Sequence, residues 1–343
     1  MGIFPIIAGD LPMKNKKKIA LSVVAVICVA LLTALYFWNY SREKRYDYSE
    51  KNTVAMGTIV SQKVYGDYSA KHIEKITALI NALDEEISWR NEKSAVAKLN
   101  DGQTVVSPDV GAIVSECTRV SKSSGGVFDI TVGGLTKLWS IGEEAQRVPD
   151  EDEIKKELKN VDYSKVYVGG NTVTLERGIE IDLGAVGKGA ACDNVMLYLK
   201  ASDIKGAVIS VGGSIVAYGK YNDKGDKWKI AVKHPRNEKE YLGIISLSEG
   251  FVSTSGDYER YFEQDGKRYH HIIDATTGYP ADSGLISVTV VCDSGILSDA
   301  LSTACFILGY EKSLPLLREY GASAIFVGED MKISTVGDID FDY

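Results

Sequence analysis

The chain has 343 residues, 45% hydrophobic and 25% charged, a composition that fits one large folded domain or two small ones. Its net charge of −8 excludes general nucleic-acid binding, which needs a basic face. The five cysteines (Cys28, Cys117, Cys192, Cys292, Cys305) form no CxxC pair and read as free thiols, and the four histidines are too scattered for a His-rich metal site.

The N-terminus departs from a soluble composition. Ile19 to Trp38 is an uninterrupted run of about 20 mostly apolar residues, long enough to span a bilayer. Lys14, Lys16, Lys17 and Lys18 precede it, and Trp38 and Tyr40 close it as interfacial aromatics. No A-x-A site follows, and Ile27 rather than a small residue precedes Cys28, which argues against cleavage. The expectation is a cytoplasmic basic tail (1–18), an uncleaved transmembrane anchor (19–38), a polar linker (39–52) and a folded domain (53–343) outside the cytoplasm. That describes a single-pass protein of the cell membrane.

Val54 to Val64 reads as one strand. Ser69 to Ser88 reads as a helix, because Ile73, Ile76, Ile80, Leu83 and Ile87 recur at three- and four-residue steps. A polar loop carrying Trp89 leads to a short helix ending at Asn100. Ser107-Pro108-Asp109 opens the next helix, with serine as N-cap and proline at the first helical position. That helix stops at Gly125-Gly126. Asp129 then lies among apolar residues, and a carboxylate there needs a partner. Residues 143–163 read as a charged surface helix and loop, and Val166 to Leu183 as short strands joined by glycine turns. Strands follow at 207–211, 215–218, 228–232, 243–247, 251–253 and 287–292. Ser298 to Leu308 is a helix, Pro315 stands near the start of another, and 324–327 with 331–334 form a closing hairpin.

Three stretches could carry chemistry. In the first, the strand Ile179 to Leu183 enters a turn with Gly184, Gly187 and Gly189 and opens a helix to about Leu199. Free N–H groups at such a helix start, with Lys188 and the acceptor Asp182 beside them, suit a phosphate. A plain strand–turn–helix corner is the alternative. In the second, Asp299, Ser302 and Thr303 stand at i, i+3 and i+4, which puts their oxygens on one helix face. They read as a magnesium site or as part of a helix start capped by Ser298. In the third, His271 and Asp274 flank two isoleucines. In a strand, His271 and Ile273 would share one face and Asp274 the other.

Together these stretches resemble the ApbE-like flavin transferases, the FAD:protein FMN transferases. The resemblance runs from Thr53 to Thr335. It rests on the order of Met56-Gly57-Thr58, Ser88-Trp89-Arg90, Gly126 to Thr131, Asp182 to Gly189, Val211-Gly212-Gly213, Thr254 to Tyr258, His271 to Gly278, and Ser298-Asp299-Ala300. It implies an α+β (mixed α/β) fold, one compact catalytic domain of mixed sheets and helices behind the membrane helix. It implies FAD as donor, magnesium as cofactor, and transfer of FMN to a Thr or Ser hydroxyl of a partner flavoprotein with release of AMP. That acceptor would be extracytoplasmic or a subunit of a membrane redox complex. By the same resemblance, Met56, Trp89, Val127, Phe128, Asp129, Asp182, Lys188 and Ile273 are the FAD-contacting positions. The Ala185 carbonyl, Asp299 and Thr303 are the metal ligands. Ser302 stands where some relatives carry a carboxylate, and Ala275 where proline is frequent. His271 is the candidate base, with Asp257 and Asp274 behind it. Hydrolysis of FAD to FMN and AMP, or flavin binding without catalysis, are the alternatives.

Overall fold

The computed structural model describes residues 24–36 and 46–343. Residues 24–36 are helical. Among the described residues no helix is long and apolar enough to cross a membrane. The rest of the expected anchor (19–23 and 37–38), the basic tail (1–18) and residues 39–45 of the expected linker lie outside the described residues.

From Tyr46 onward the fold is mixed α+β, organised on an eight-stranded sheet whose spatial order is its chain order. Its strands are β1 (Tyr48–Ala55), β2 (Thr58–Tyr65), β3 (Gly206–Val211), β4 (Ser214–Gly219), β5 (Gly250–Gly256), β6 (Leu285–Cys292), β7 (Ser323–Gly328) and β8 (Ile333–Val336). Each is antiparallel to its neighbour. The helices are α1 (Ser69–Ile87), α2 (Ala95–Asn100), α3 (Pro108–Ser123), α4 (Gly133–Trp139), α5 (Glu151–Leu158), α6 (Gly187–Lys200), α7 (Gly295–Leu308) and α8 (Tyr310–Glu319). On one face of the sheet α6 packs on β3 and β4, and α7 on β5 and β6, while α1 packs on α6 and β2. All five apolar residues read as the α1 stripe are buried there. The opposite face meets a three-stranded sheet made of Trp228–Lys233, Tyr241–Leu247 and Phe341–Asp342. Trp228, Ile230, Val232 and Ile245 pack there against Tyr65, Ala217, Val252 and Ile325. A third cluster, Leu135, Trp139, Ile154 and Ile273, joins α4 and α5 to the segment after the hairpin Tyr261–Gln264/Lys267–His270.

The structure corrects several boundaries. The single strand expected over 54–64 is a hairpin, and β1 reaches back to Tyr48, into the expected linker. Met56 and Gly57 both take positive φ (52 and 66), the geometry of a tight turn whose twist matches its strands. Residues 179–183 make no strand ladder, only a bridge from Glu180 to Val132. The Asn100 side chain takes the place of a strand there, accepting from Ile181 N–H at 2.8 Å and donating to Ile181 C=O at 2.9 Å. Helix α7 begins three residues before Ser298, because Ser294 caps it and the Asp193 carboxylate accepts the N–H groups of Gly295 and Ile296, each at 2.8 Å. The strand expected through His271 ends at His270. Pro315 lies inside α8 rather than at its start.

Candidate active site

A cleft of about 820 Å³ opens where the β1–β2 turn, the end of α1, the starts of α6 and the β3–β4 turn, the end of β5, and α7 converge. Met56, Trp89, Phe128, Asp129, Asp182, Ala185, Lys188, His271, Ile273, Asp299 and Thr303 line it. These residues are far apart in sequence and come from the stretches that the motifs mark. Val127, Asp257 and Asp274 are not among the lining residues.

The polar lining is built on the crossing of α6 and α7. A Cβ on Gly189 would lie 2.0 Å from Gly295 C=O, and one on Gly295 would lie 2.1 Å from Gly189 C=O, so only glycine permits this approach. The crossing seats Asp299, which is buried at 4% exposure and 110 residues from Gly189 in sequence. Its Oδ2 accepts Gly189 N–H at 2.6 Å and its Oδ1 accepts the Ser214 hydroxyl at 2.5 Å. No cationic side chain of the described residues forms a salt bridge with it, so neutral donors alone offset its buried charge. Next to it, Ser255 Oγ lies 3.1 Å from Thr303 Oγ1 and 2.8 Å from Ser302 Oγ, and the Ser302 hydroxyl is also within hydrogen-bond distance of Asp299 C=O at 2.9 Å.

The chemistry of this donor set fits a hard cation. Gly184 and Ala185 are exposed in the turn one helical turn before Gly189, and Ala185, Asp299 and Thr303 line the same cleft. Magnesium takes one or two carboxylates and completes its shell with water and phosphate. Among the described residues no group of three or more His, Cys, Asp or Glu side chains is placed to hold a metal.

The start of α6 offers a phosphate less than its sequence suggests. Gly187 N–H is taken by Leu183 C=O at 2.8 Å, and Gly189 N–H by Asp299. Asp182 Oδ1 accepts Gly184 N–H at 2.8 Å and holds the turn. What remains is Lys188, half-buried and without an ion pair among the described residues.

The apolar lining comes from Met56, Ile87, Trp89, Phe128 and Ile273. Asp84 Oδ2 accepts Met56 N–H at 2.7 Å and pins the β1–β2 turn to α1. The Trp89 ring carries the Arg90 guanidinium 4.2 Å from its centroid and the Lys137 ammonium at 5.2 Å. Those two cations are neutralised, Arg90 by Glu143 and Lys137 by Glu180 at 2.6 Å. Trp89 Nε1 is buried without a hydrogen-bond partner.

Asp129 accepts the N–H and hydroxyl of Thr131 on Oδ1, both at 2.8 Å, and Tyr163 N–H on Oδ2 at 2.9 Å. Burial still holds its pKa above the usual carboxylate value. Its partners are therefore the Thr131 hydroxyl and the N–H groups of Thr131 and Tyr163, which answers the sequence-level demand for one. His271 lines the cleft with its surface open to solvent, and its N–H donates to Arg260 C=O at 3.1 Å. Desolvation, then Lys188 and Arg260, push its pKa well below the ordinary histidine value, so the ring is neutral at pH 7 and its proton affinity is reduced.

Asp257 and Asp274, the other base candidates, lie outside the cleft lining and are engaged by other groups. Asp257 is locked bidentately to Arg236 at 2.7 and 2.6 Å, with Arg268 at 3.7 Å. Asp274 Oδ1 accepts the N–H and hydroxyl of Thr276 at 2.8 and 2.7 Å and caps the turn before Gly278. Val127 contributes its carbonyl to Ala275 N–H at 3.2 Å. Residue-level reading gave no site role to Asp84, Ser214, Ser255 or Arg260, of which only Ser255 falls within a marked stretch, Thr254 to Tyr258. Burial raises the thiol pKa of Cys117, Cys192, Cys292 and Cys305, which leaves them protonated and unreactive at neutral pH.

Residues 56–326 match the ApbE family. The chain is 35% identical to the FAD:protein FMN transferase of Treponema pallidum, over 86% of this chain and 88% of that one. It is 33% identical to the protein of the same name from Klebsiella pneumoniae, over 85% and 92%. Among solved structures it superposes on the ApbE protein of Thermotoga maritima with a TM-score of 0.77, at 33% identity over 84% of this chain and 96% of that one. It superposes on the flavinyl transferase ApbE of Pseudomonas stutzeri with a TM-score of 0.75, at 30% identity over 85% and 95%. With its motifs in order and its fold shared, the chain belongs to the ApbE family.

Proposed function

We propose that this protein transfers FMN from FAD to a Thr or Ser hydroxyl of an acceptor flavoprotein, with magnesium as cofactor and AMP as leaving group. The observation that carries the reading is the buried Asp299, held only by neutral donors in a cleft that also presents Lys188 and the half-buried Trp89. The acceptor oxygen bonds to the FMN phosphorus, the bond from that phosphorus to the AMP oxygen breaks, and the hydroxyl proton leaves to a base. Neutral His271 lines the cleft and is the candidate to take that proton, a weak base because desolvation and the neighbouring cations lower its pKa. Lys188 offsets charge that builds on the phosphate oxygens. Asp299, Thr303 and the Ala185 carbonyl would hold the magnesium, which supplies Lewis-acid polarisation of the diphosphate when bound. Met56, Trp89, Phe128 and Ile273 offer apolar and ring surface to the donor's flavin or adenine.

The apolar run at 19–38 supports a membrane anchor, and with it an acceptor that is extracytoplasmic or part of a membrane redox complex. The test incubates the full chain with FAD, magnesium and candidate acceptor flavoproteins, then reads the intact mass of each acceptor. An acceptor gaining the mass of FMN, abolished by a chelator, is the expected result. Free FMN with no mass gain on any acceptor would make the enzyme a hydrolase, and FAD retained unchanged would make it a binding protein.

A further inference from the structure

Four cationic side chains surround the cleft lining, and they fall into two classes. Arg90 and Lys137 are spent on Glu143 and Glu180. Lys188 and Arg260 form no ion pair among the described residues, although the protein carries a net charge of −8 and Glu259 is adjacent in sequence. Arg260 is exposed, lines the cleft, and passes between two glycines. Its guanidinium lies 3.4 Å from where a Cβ on Gly57 would be, and its stem 3.6 Å from where one on Gly142 would be. Both glycines take positive φ and line the same cleft, so two side-chain-free turns flank this arginine. Its carbonyl accepts both the N–H of His271 at 3.1 Å and contact from His271 Nδ1 at 3.3 Å, which ties its backbone to the candidate base.

We propose that Arg260 is a second phosphate-binding residue of the cleft, gripping the donor's diphosphate together with Lys188. An unpaired guanidinium is a planar fork that matches phosphate oxygens bidentately, whereas an ammonium acts as a point charge. The two cations come from separate elements, Lys188 from α6 and Arg260 from the segment before the hairpin, and both lower the proton affinity of His271. Closing the fork on phosphate would therefore align the donor beside the base. This role rests on the reading of FAD as donor.

The test measures FAD binding to the full chain by flavin fluorescence at low and high salt, for the parent and for Arg260→Gln and Arg260→Lys. The melting temperature without ligand reports folding. Loss of one charge-assisted pair raises the FAD Kd about tenfold in Arg260→Gln and weakens its salt dependence. Arg260→Lys recovers part of the affinity, since it keeps the charge without the fork. Binding by folded Arg260→Gln within twofold of the parent overturns the proposal. A parent that binds no FAD fails before any variant is compared, and removes both the donor reading and this role.

Discussion

Around Asp299 the cleft is held by buried, neutral hydrogen bonds and a helix crossing with no room for a methyl group. Around Trp89 it is held by half-exposed ion pairs and a cation-flanked ring. The first arrangement holds its groups firmly, because the Gly189 and Ser214 bonds to Asp299 are shielded from water. The second tolerates rearrangement, because exposed pairs exchange with solvent at little cost. A group that must meet a cation and a phosphate needs the first kind of support. A surface that receives a flat ring can work with the second.

The sharpest break of the rigid part is Gly189→Ala. The new Cβ would sit 2.0 Å from a backbone oxygen that cannot rotate away, so α6 and α7 must separate. The expected loss is about 3 kcal/mol or more, measured by urea unfolding, and it falls on Asp299 as well because the Gly189 N–H moves with the helix. A variant that unfolds like the parent would show that the crossing is looser than drawn. Next comes Asp299→Ala. Removing the carboxylate strands Ser214 Oγ and Gly189 N–H, which costs about 1–3 kcal/mol of stability, while the magnesium-dependent mass gain of the acceptor disappears altogether. Transfer at the parental rate from a folded Asp299→Ala chain would end the metal assignment.

This asymmetry also explains what could be read from the sequence. The α1 stripe, the serine–proline start of α3, the glycine turn before α6 and most of the sheet strands follow from local periodicity and turn chemistry, which a chain expresses within a few residues. The Met56-Gly57 turn was hidden because methionine carries no preference for positive φ, and so two strands read as one. The extended segment at Ile181 failed as a strand because Asn100 satisfies its backbone from another element. The true start of α7 was hidden because its cap is shared with Asp193, 102 residues away from Gly295. Asp257 and Asp274 looked available as bases, since a sequence does not show that Arg236 and Thr276 have already claimed them. The gathering of the motifs into one cleft was legible only through their joint order.

On the tolerant side the expected effects shrink. Glu143→Ala frees Arg90 from its partner, yet both side chains are partly solvent-exposed, so stability should change by less than about 1 kcal/mol. The informative readout is FAD affinity. A freed Arg90 adds a third unpaired cation to the cleft, so binding should tighten slightly at low salt and return to parental strength at high salt. A destabilisation as large as that of Asp299→Ala would mean that the apolar lining is as rigidly built as the polar one.

The smallest effect concerns His271, which belongs to neither part but faces both. Its folded-state pKa lies below the ordinary value of 6.5, chiefly through desolvation, with Lys188 and Arg260 adding to it. Between the two values the unfolded chain binds a proton that the folded chain refuses. Stability from this group is therefore complete above about pH 6.5 and declines as pH falls below it. His271→Gln removes that decline, so urea unfolding of parent and variant from about pH 7.5 to about pH 5 should show the parent losing more. Because the ring reaches solvent, the difference should stay well below the ~1.4 kcal/mol per pH unit of a full proton. Parallel curves would mean that His271 titrates normally. Its neutral form at pH 7 would then owe nothing to the cations beside it, and the link between phosphate grip and base would have to be drawn elsewhere.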